Sequence, residues 1–150
     1  MASGAFTSAG TTIGIASGDP SSYDATGFEA LTFDLIGEVT DLGEFGREYS
    51  LVTHNPLGDR QTVKRKGSYN DGSISMTVAR TPDDAGQTAL QAALDSDDNY
   101  SFNVTLQDGT ELYFSAQVMS YTANVGTVDQ ITTASVTIEI TDEIIEVAPA

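Results

Sequence analysis

The side chains best equipped for chemistry fall into three groups: the lone histidine His54, the aspartates Asp95, Asp97 and Asp98, and the cations Arg60, Lys64, Arg65 and Lys66. A catalytic histidine needs a partner to exchange protons with. His54 stands beside the Asn55-Pro56 turn with no serine or cysteine nucleophile motif near it, so it reads as a solvated loop residue. The aspartates offer hard oxygens of the kind calcium takes, but their spacing is not that of an EF-hand and no glutamate stands at the twelfth position. A helix end and its loop account for them better, although three acids there oppose the helix dipole. There is no cysteine, hence no disulfide, thiolate zinc site or cysteine nucleophile. Phosphate-binding glycine loops, HExxH and zinc spacings are absent. Glycosidase-type carboxylate pairs form in space, and the sequence singles none out. No catalytic, cofactor or metal residue is expected.

The cations remain. Four of the six basic residues lie between positions 60 and 66, and the formal net charge is −16. So acidic a chain is poorly suited to displacing counterions from duplex phosphates. One cationic strip on an acidic molecule suits head-to-tail association with a second copy. The neutral alternative is that the acidity serves only solubility.

At 150 residues the chain is read as one domain, 1–150, able to bury about 70% of its unfolded surface. Residues 1–12 are rich in Ser, Gly and Ala and lack the basic and apolar regions of a signal peptide, so they are expected to form a flexible arm. No apolar run approaches the ~18 residues of a membrane span, and no membrane partner is expected.

The elements that position these groups read mainly as β. Ile13 and Ile15 share one face of a short strand. A loop through Asp24 and Gly27 leads to a second strand expected over 30–39. Residues 49–53 and 61–65 look extended around the turn Asn55-Pro56-Leu57-Gly58-Asp59, predicting a long protruding loop or hairpin with the basic strip on its returning arm. Ser73–Ala79 alternates strictly, with Ile74, Met76 and Val78 inward. Thr81 is the expected cap of a helix that has Pro82 at its first position and the Ala89, Leu90, Ala93 stripe facing a sheet. Strands follow over 100–106, 111–121 and 131–141, the first two joined by an Asp108-Gly109 turn. Residues 143–150 are expected as a C-terminal arm. The outward faces of the strands are mostly Ser, Thr, Asn and Gln, with little of the lysine that guards exposed edges.

The succession from Gly72 to Thr141 resembles the major tail tube protein of long-tailed, lambda-like siphophages. It is carried by the Thr81-Pro82-Asp83-Asp84-Ala85-Gly86-Gln87 helix, the Asp108-Gly109-Thr110 turn and the closing strand Ile131-Thr132-Thr133-Ala134-Ser135-Val136. The resemblance implies two packed antiparallel sheets, sandwich- or barrel-like, flanked by one helix. It implies a structural virion protein forming stacked hexameric rings, a hollow tail tube through which DNA passes without specific binding. The implied partners are further copies, the tape measure protein, the tail tip and the tail terminator; no cofactor is implied. Some relatives carry a C-terminal immunoglobulin-like domain, and this sequence, ending at Ala150, implies none. Tube proteins of contractile injection or secretion systems share the fold and are the alternative. A carbohydrate-binding β-sandwich is a weaker one, given that there is no tryptophan. On the tube reading, Arg60, Lys64, Arg65 and Lys66 are expected at an interface between rings or subunits, and Ser101, Asn103 and Thr105 are expected to line the lumen.

Overall fold

In β6 (Ser73–Ala79) the buried residues alternate along the strand, and Ile74, Met76 and Val78 are all inside. The same two-residue period builds most of the fold, because successive strand side chains point to opposite faces. The computed structural model describes residues 4–149. Before β6 come β1 (Thr12–Ser17), α1 (Ala25–Glu29), β2 (Asp34–Leu35), β3 (Val39–Asp41), β4 (Glu48–His54) and β5 (Val63–Asn70). After it come α2 (Ala85–Leu94), β7 (Tyr100–Thr105), β8 (Glu111–Asn124), β9 (Thr133–Ile140) and β10 (Ile145–Val147).

The main sheet is antiparallel in the order β2-β1-β7-β8-β9-β6-β3, with β10 added to β8. It is one curled sheet whose two halves face each other across the core, so the expected two-layer β architecture is present in barrel-like form. β8 makes the corner. Its first half pairs with β7, its second half with β9, and a bulge lies between Val118 and Ser120. Such an irregularity bends a strand and raises its twist. Phe102, Val104, Phe114, Val136 and Ile138 fill the interior together with Leu90 and Ala93 of α2.

Closure depends on residues 34–41. Their start pairs with β1, where the Ile36 N–H donates to the Ile13 carbonyl, and their end reaches β6, where the Ala79 N–H donates to the Glu38 carbonyl. The helix locks this seam. The buried Gln87 amide donates to the carbonyls of Gly37 and Ala79 at 3.0 and 2.9 Å, and its oxygen accepts from the Thr81 N–H and the Tyr121 hydroxyl. Both donors and both acceptor sites of that side chain are thereby used. Asp84 caps α2 by accepting from the Gln87 N–H, and the same oxygen accepts from the Gly37 N–H.

Several expectations are corrected. The cap is Asp84, not Thr81, because residues 81–84 form a turn in which the Asp84 N–H bonds to the Thr81 carbonyl. The strand expected over 30–39 is replaced by the short β2 and β3, since the chain must cross from one edge of the barrel to the other there. The loop through Asp24 contains a single helical turn, α1, capped by the Asp24 carboxylate. The C-terminal arm docks as β10 on β8. Residues 4–11 hold only a turn before β1, while Met1 to Ser3 of the expected arm and Ala150 lie outside the described residues.

The second face of β7 and β8 is also covered, by residues 19–33. Phe28 of α1 stacks on Tyr113 and meets Tyr23 edge-on. The Tyr23 hydroxyl accepts from the Ser115 N–H and donates to the Glu143 carbonyl. Burial, reinforced by the nearby acids Asp142, Asp71 and Asp19 against the lowering effect of the Ser115 bond, pushes its pKa up to about 12. Burial and the Glu111 carboxylate raise Tyr113 as well.

Two predictions follow from this packing. A Cβ at Gly86 would stand 2.4 Å from the Leu35 carbonyl oxygen and 2.5 Å from the Ile36 Cα, both backbone. Gly86→Ala is expected to lower stability by about 3 kcal/mol in urea unfolding; wild-type stability would refute the seam as described. Second, unfolded Tyr23 releases its proton near pH 10, while the folded residue holds it to about 12. Stability present below pH 10 is therefore lost as pH rises from 10 to 12. Tyr23→Phe should flatten part of that decline in unfolding curves read by circular dichroism, and an unchanged slope would show that Tyr23 contributes nothing to it.

Candidate functional site

β4 and β5 form a sheet of their own, a two-stranded ribbon separate from the barrel. Every β4 residue is exposed. Such a ribbon is marginal alone in water. Its side chains are not those of a solvated loop: Tyr49, Leu51, Val52, Leu57 and Tyr69 are all exposed, Leu57 fully.

The returning arm carries the basic strip, as expected. Lys64, Arg65 and Lys66 lie exposed on β5 opposite Thr53, Val52 and Leu51, and Arg60 is exposed in the turn before β5. By alternation Lys64 and Lys66 share one face, and Arg65 points to the other. A register shift between Tyr49 and Leu51 brings Tyr49 opposite Tyr69 with ring centroids 5.3 Å apart. The Lys66 ammonium sits 4.7 Å from the Tyr49 ring centre. Residues 48–70 hold four cations and two acids, and the remainder of the chain holds two cations and twenty acids. The ribbon is thus net positive on a body that is strongly negative.

The root of the ribbon passes through two glycines with positive φ, Gly46 and Gly72. A Cβ on Gly72 would lie 3.1 Å from the Gly46 carbonyl oxygen, so the two strand crossings abut. Arg47 spans them. It pairs with Asp71 at 3.4 Å and Glu143 at 3.5 Å, and its guanidinium lies 4.1 Å from the Tyr69 ring centre. Sequence reasoning missed Arg47, Tyr49 and Tyr69. Their only signal was an aromatic in each arm of the hairpin, which needs the register to become a pair.

Ser101, Asn103 and Thr105 are brought together on one face of β7, but that face is not outward. Ser101 has no exposed surface and donates to the Gly18 carbonyl at 2.7 Å. Asn103 is 9% exposed, and its side-chain oxygen accepts from the half-buried Thr105 hydroxyl. The reading of these residues as outward-facing is corrected: Ser101 and Asn103 are buried, and Ser101 is bonded to the segment that begins at Gly18. The open hydroxyl face lies on β6, β9 and the second half of β8. There Ser75 stands opposite Thr137, Thr77 opposite Ser135, and Ser135 opposite Thr122.

His54 is exposed at the end of β4 opposite Val63. Asp95 ends α2, and the Asp97 carbonyl accepts from the Gln117 amide at 2.9 Å. Among the described residues no group of three or more His, Cys, Asp or Glu is placed to hold a metal, and no helix is long and apolar enough to cross a membrane.

Solved structures of similar fold include chains of tail and baseplate assemblies. The chain is similar over 91% of its length, with a TM-score of 0.65 and 15% identity, to 95% of a chain in the tail of an empty GTA particle refined with C6 symmetry. It is similar over 91%, with a TM-score of 0.62 and 15% identity, to 75% of a chain in the SPP1 tail tube. It is similar over 99%, with a TM-score of 0.68 and 10% identity, to 98% of a chain in the baseplate of the anti-feeding prophage. No curated protein matches it in sequence. The family described as "Phage tail tube protein, TTP" matches residues 4–149, nearly the whole chain, and the protein belongs to that family.

Proposed function

We propose that this protein is the structural subunit of a phage tail tube, part of the virion tail and not an enzyme. Copies form hexameric rings, and the rings stack into a hollow tube through which the genome is delivered. The observation that carries this reading is the exposed cationic ribbon on an acidic barrel. An unpartnered ribbon with apolar and basic side chains is unstable in isolation and finds both apolar cover and opposite charge on a neighbouring copy. Arg60, Lys64, Arg65 and Lys66 are the contacts we assign to that interface. The similar structures described as six-fold support the ring number. A tape measure protein, tip and terminator would complete the tail. A second reading, the tube of a contractile injection system, is supported by the likeness to the anti-feeding prophage baseplate. The family match over residues 4–149 favours the phage tail.

The lumen is assigned to the open hydroxyl face of β6, β9 and β8 in place of Ser101, Asn103 and Thr105. Hydroxyls offer a passing phosphate backbone no counterion-releasing contact, so DNA slides without being held.

Replacing Lys64, Arg65 and Lys66 together by Glu should abolish stacking, because like charges forced together cost several kcal/mol. Negative-stain microscopy reads this directly, and normal tubes from the triple variant would end the ionic-ribbon idea. Lysine at Ser75, Thr122 and Ser135 should leave tubes intact and slow DNA ejection; ejection at the wild-type rate would remove this face from the lumen.

A further inference from the structure

One face of the ribbon combines two cations with an apolar side chain. Lys66 stands opposite Leu51 and Lys64 opposite Thr53. Directly opposed residues of an antiparallel pair lie on the same face, so these four side chains project together. Leu51 is 66% exposed, and Lys64 and Lys66 are two strand residues, about 7 Å, apart. Among the described residues the ion pairs are those of Arg47 with Asp71 and Glu143, so neither lysine has a carboxylate partner within its own chain. Arg47 is thereby taken, and Arg80 lies outside the ribbon as a single cation. No other surface of the described residues offers two uncommitted cations beside an exposed leucine.

A surface of matching character lies along the barrel seam. Two adjoining hollows of about 260 and 370 Å³ share Thr11, Val39 and Leu42, and are walled by Leu35, Phe45 and Leu106. Each hollow holds one acid, Asp41 in the smaller and Glu38 in the larger, and no cation lines either. Both acids are exposed, and neither is in an ion pair among the described residues. Three residues separate them, at most about 11 Å of extended chain, a spacing that two lysines about 7 Å apart can meet. Glu38 takes a φ of 60°, the one positive φ at a non-glycine among the described residues. Residues held in that region are concentrated at ligand clamps and switch regions.

The groove is not filled by its own ribbon. That ribbon leaves the barrel at Gly46, next to Phe45 of the groove wall, and every β4 residue is exposed. Leu51 and the two lysines opposite β4 lie about 17 Å or more out along the strand from Gly46. Acidic parts of a second copy are repelled from Glu38 and Asp41, and its ribbon is attracted. We propose that the Leu51, Lys64 and Lys66 face of one copy's ribbon seats in the seam groove of a second copy, with Leu51 over Val39 and Leu42 and the lysines against Glu38 and Asp41. Ribbon and groove are different patches, so the contact is heterologous and repeats from copy to copy. It names the surface that receives the ribbon, and so deepens the tail-tube reading and rests on it.

The sequence contains no cysteine, so introduced ones report alone. Thr53 is exposed opposite Lys64 on the ribbon, and Thr40 is exposed in the groove between the two acids. A Thr53→Cys protein assembled with a Thr40→Cys protein and treated with a short bis-maleimide should give crosslinked dimers containing one of each, and neither protein alone should. The pair Glu38→Lys and Asp41→Lys should raise the concentration needed for assembly at least about tenfold, because like charges then meet. Adding Lys64→Glu and Lys66→Glu to that variant makes the charges opposite again and should restore assembly near the wild-type concentration. Melting curves of the subunits separate lost assembly from lost folding. Tubes that yield no mixed crosslink, normal assembly with both groove lysines, or a four-fold variant that melts like the wild type yet stays unassembled would each overturn the ribbon-in-groove contact and leave the tube reading standing. A wild-type chain that never assembles, even with a tail tip added, would overturn both.

Discussion

The structure depends on one crossing. Residues 34–41 leave β1, pass under the start of α2 and arrive at β6, turning an open sheet into a closed one. An open sheet of this kind would present bare edges to any passing strand. The crossing is irregular, so its backbone groups need partners from elsewhere, and Gln87 and Asp84 supply them. Gly86 allows the helix to approach within side-chain distance of that backbone. The closure of the barrel and the placement of α2 both follow from it.

Charge is organised around that closed body. Four of the six cations lie on a ribbon that the barrel does not cover, and twenty of the 22 acids are spread over the rest. Within one molecule this separation gives little stability, because exposed ion pairs are worth at most about 1 kcal/mol. Its effect appears between molecules, where a positive arm meets a negative body at every repeat. Arg47 connects the two regions, since it pairs with Asp71 at the ribbon root and with Glu143 beside β10.

Much of this was legible in the sequence. β6 was placed to the residue by the alternation of Ile74, Met76 and Val78, while the long hairpin or loop was expected from its turn and extended flanks, with its returning arm at 61–65 where β5 runs over Val63–Asn70. The strand proposed at 30–39 failed for a physical reason: Leu31, Phe33 and Leu35 alternate, yet Leu35 is 60% exposed because the chain is bridging two strands there. Ser101 failed differently. A serine on the far side of a strand from Phe102 looks solvated, and only the segment beginning at Gly18 buries it and accepts its hydrogen bond.

The sequence by itself determined which residues alternate, where the turns fall, and that the basic residues form one strip on an acidic chain. These are local properties, set by strand periodicity, turn chemistry and composition. Only the tertiary structure decided which polar face is open. Periodicity separates the two faces of a strand but does not say what covers each, and the cover on β7 comes from 83 residues away. The same distance rule applies at the seam, where Gln87 reaches the Gly37 carbonyl across 50 residues.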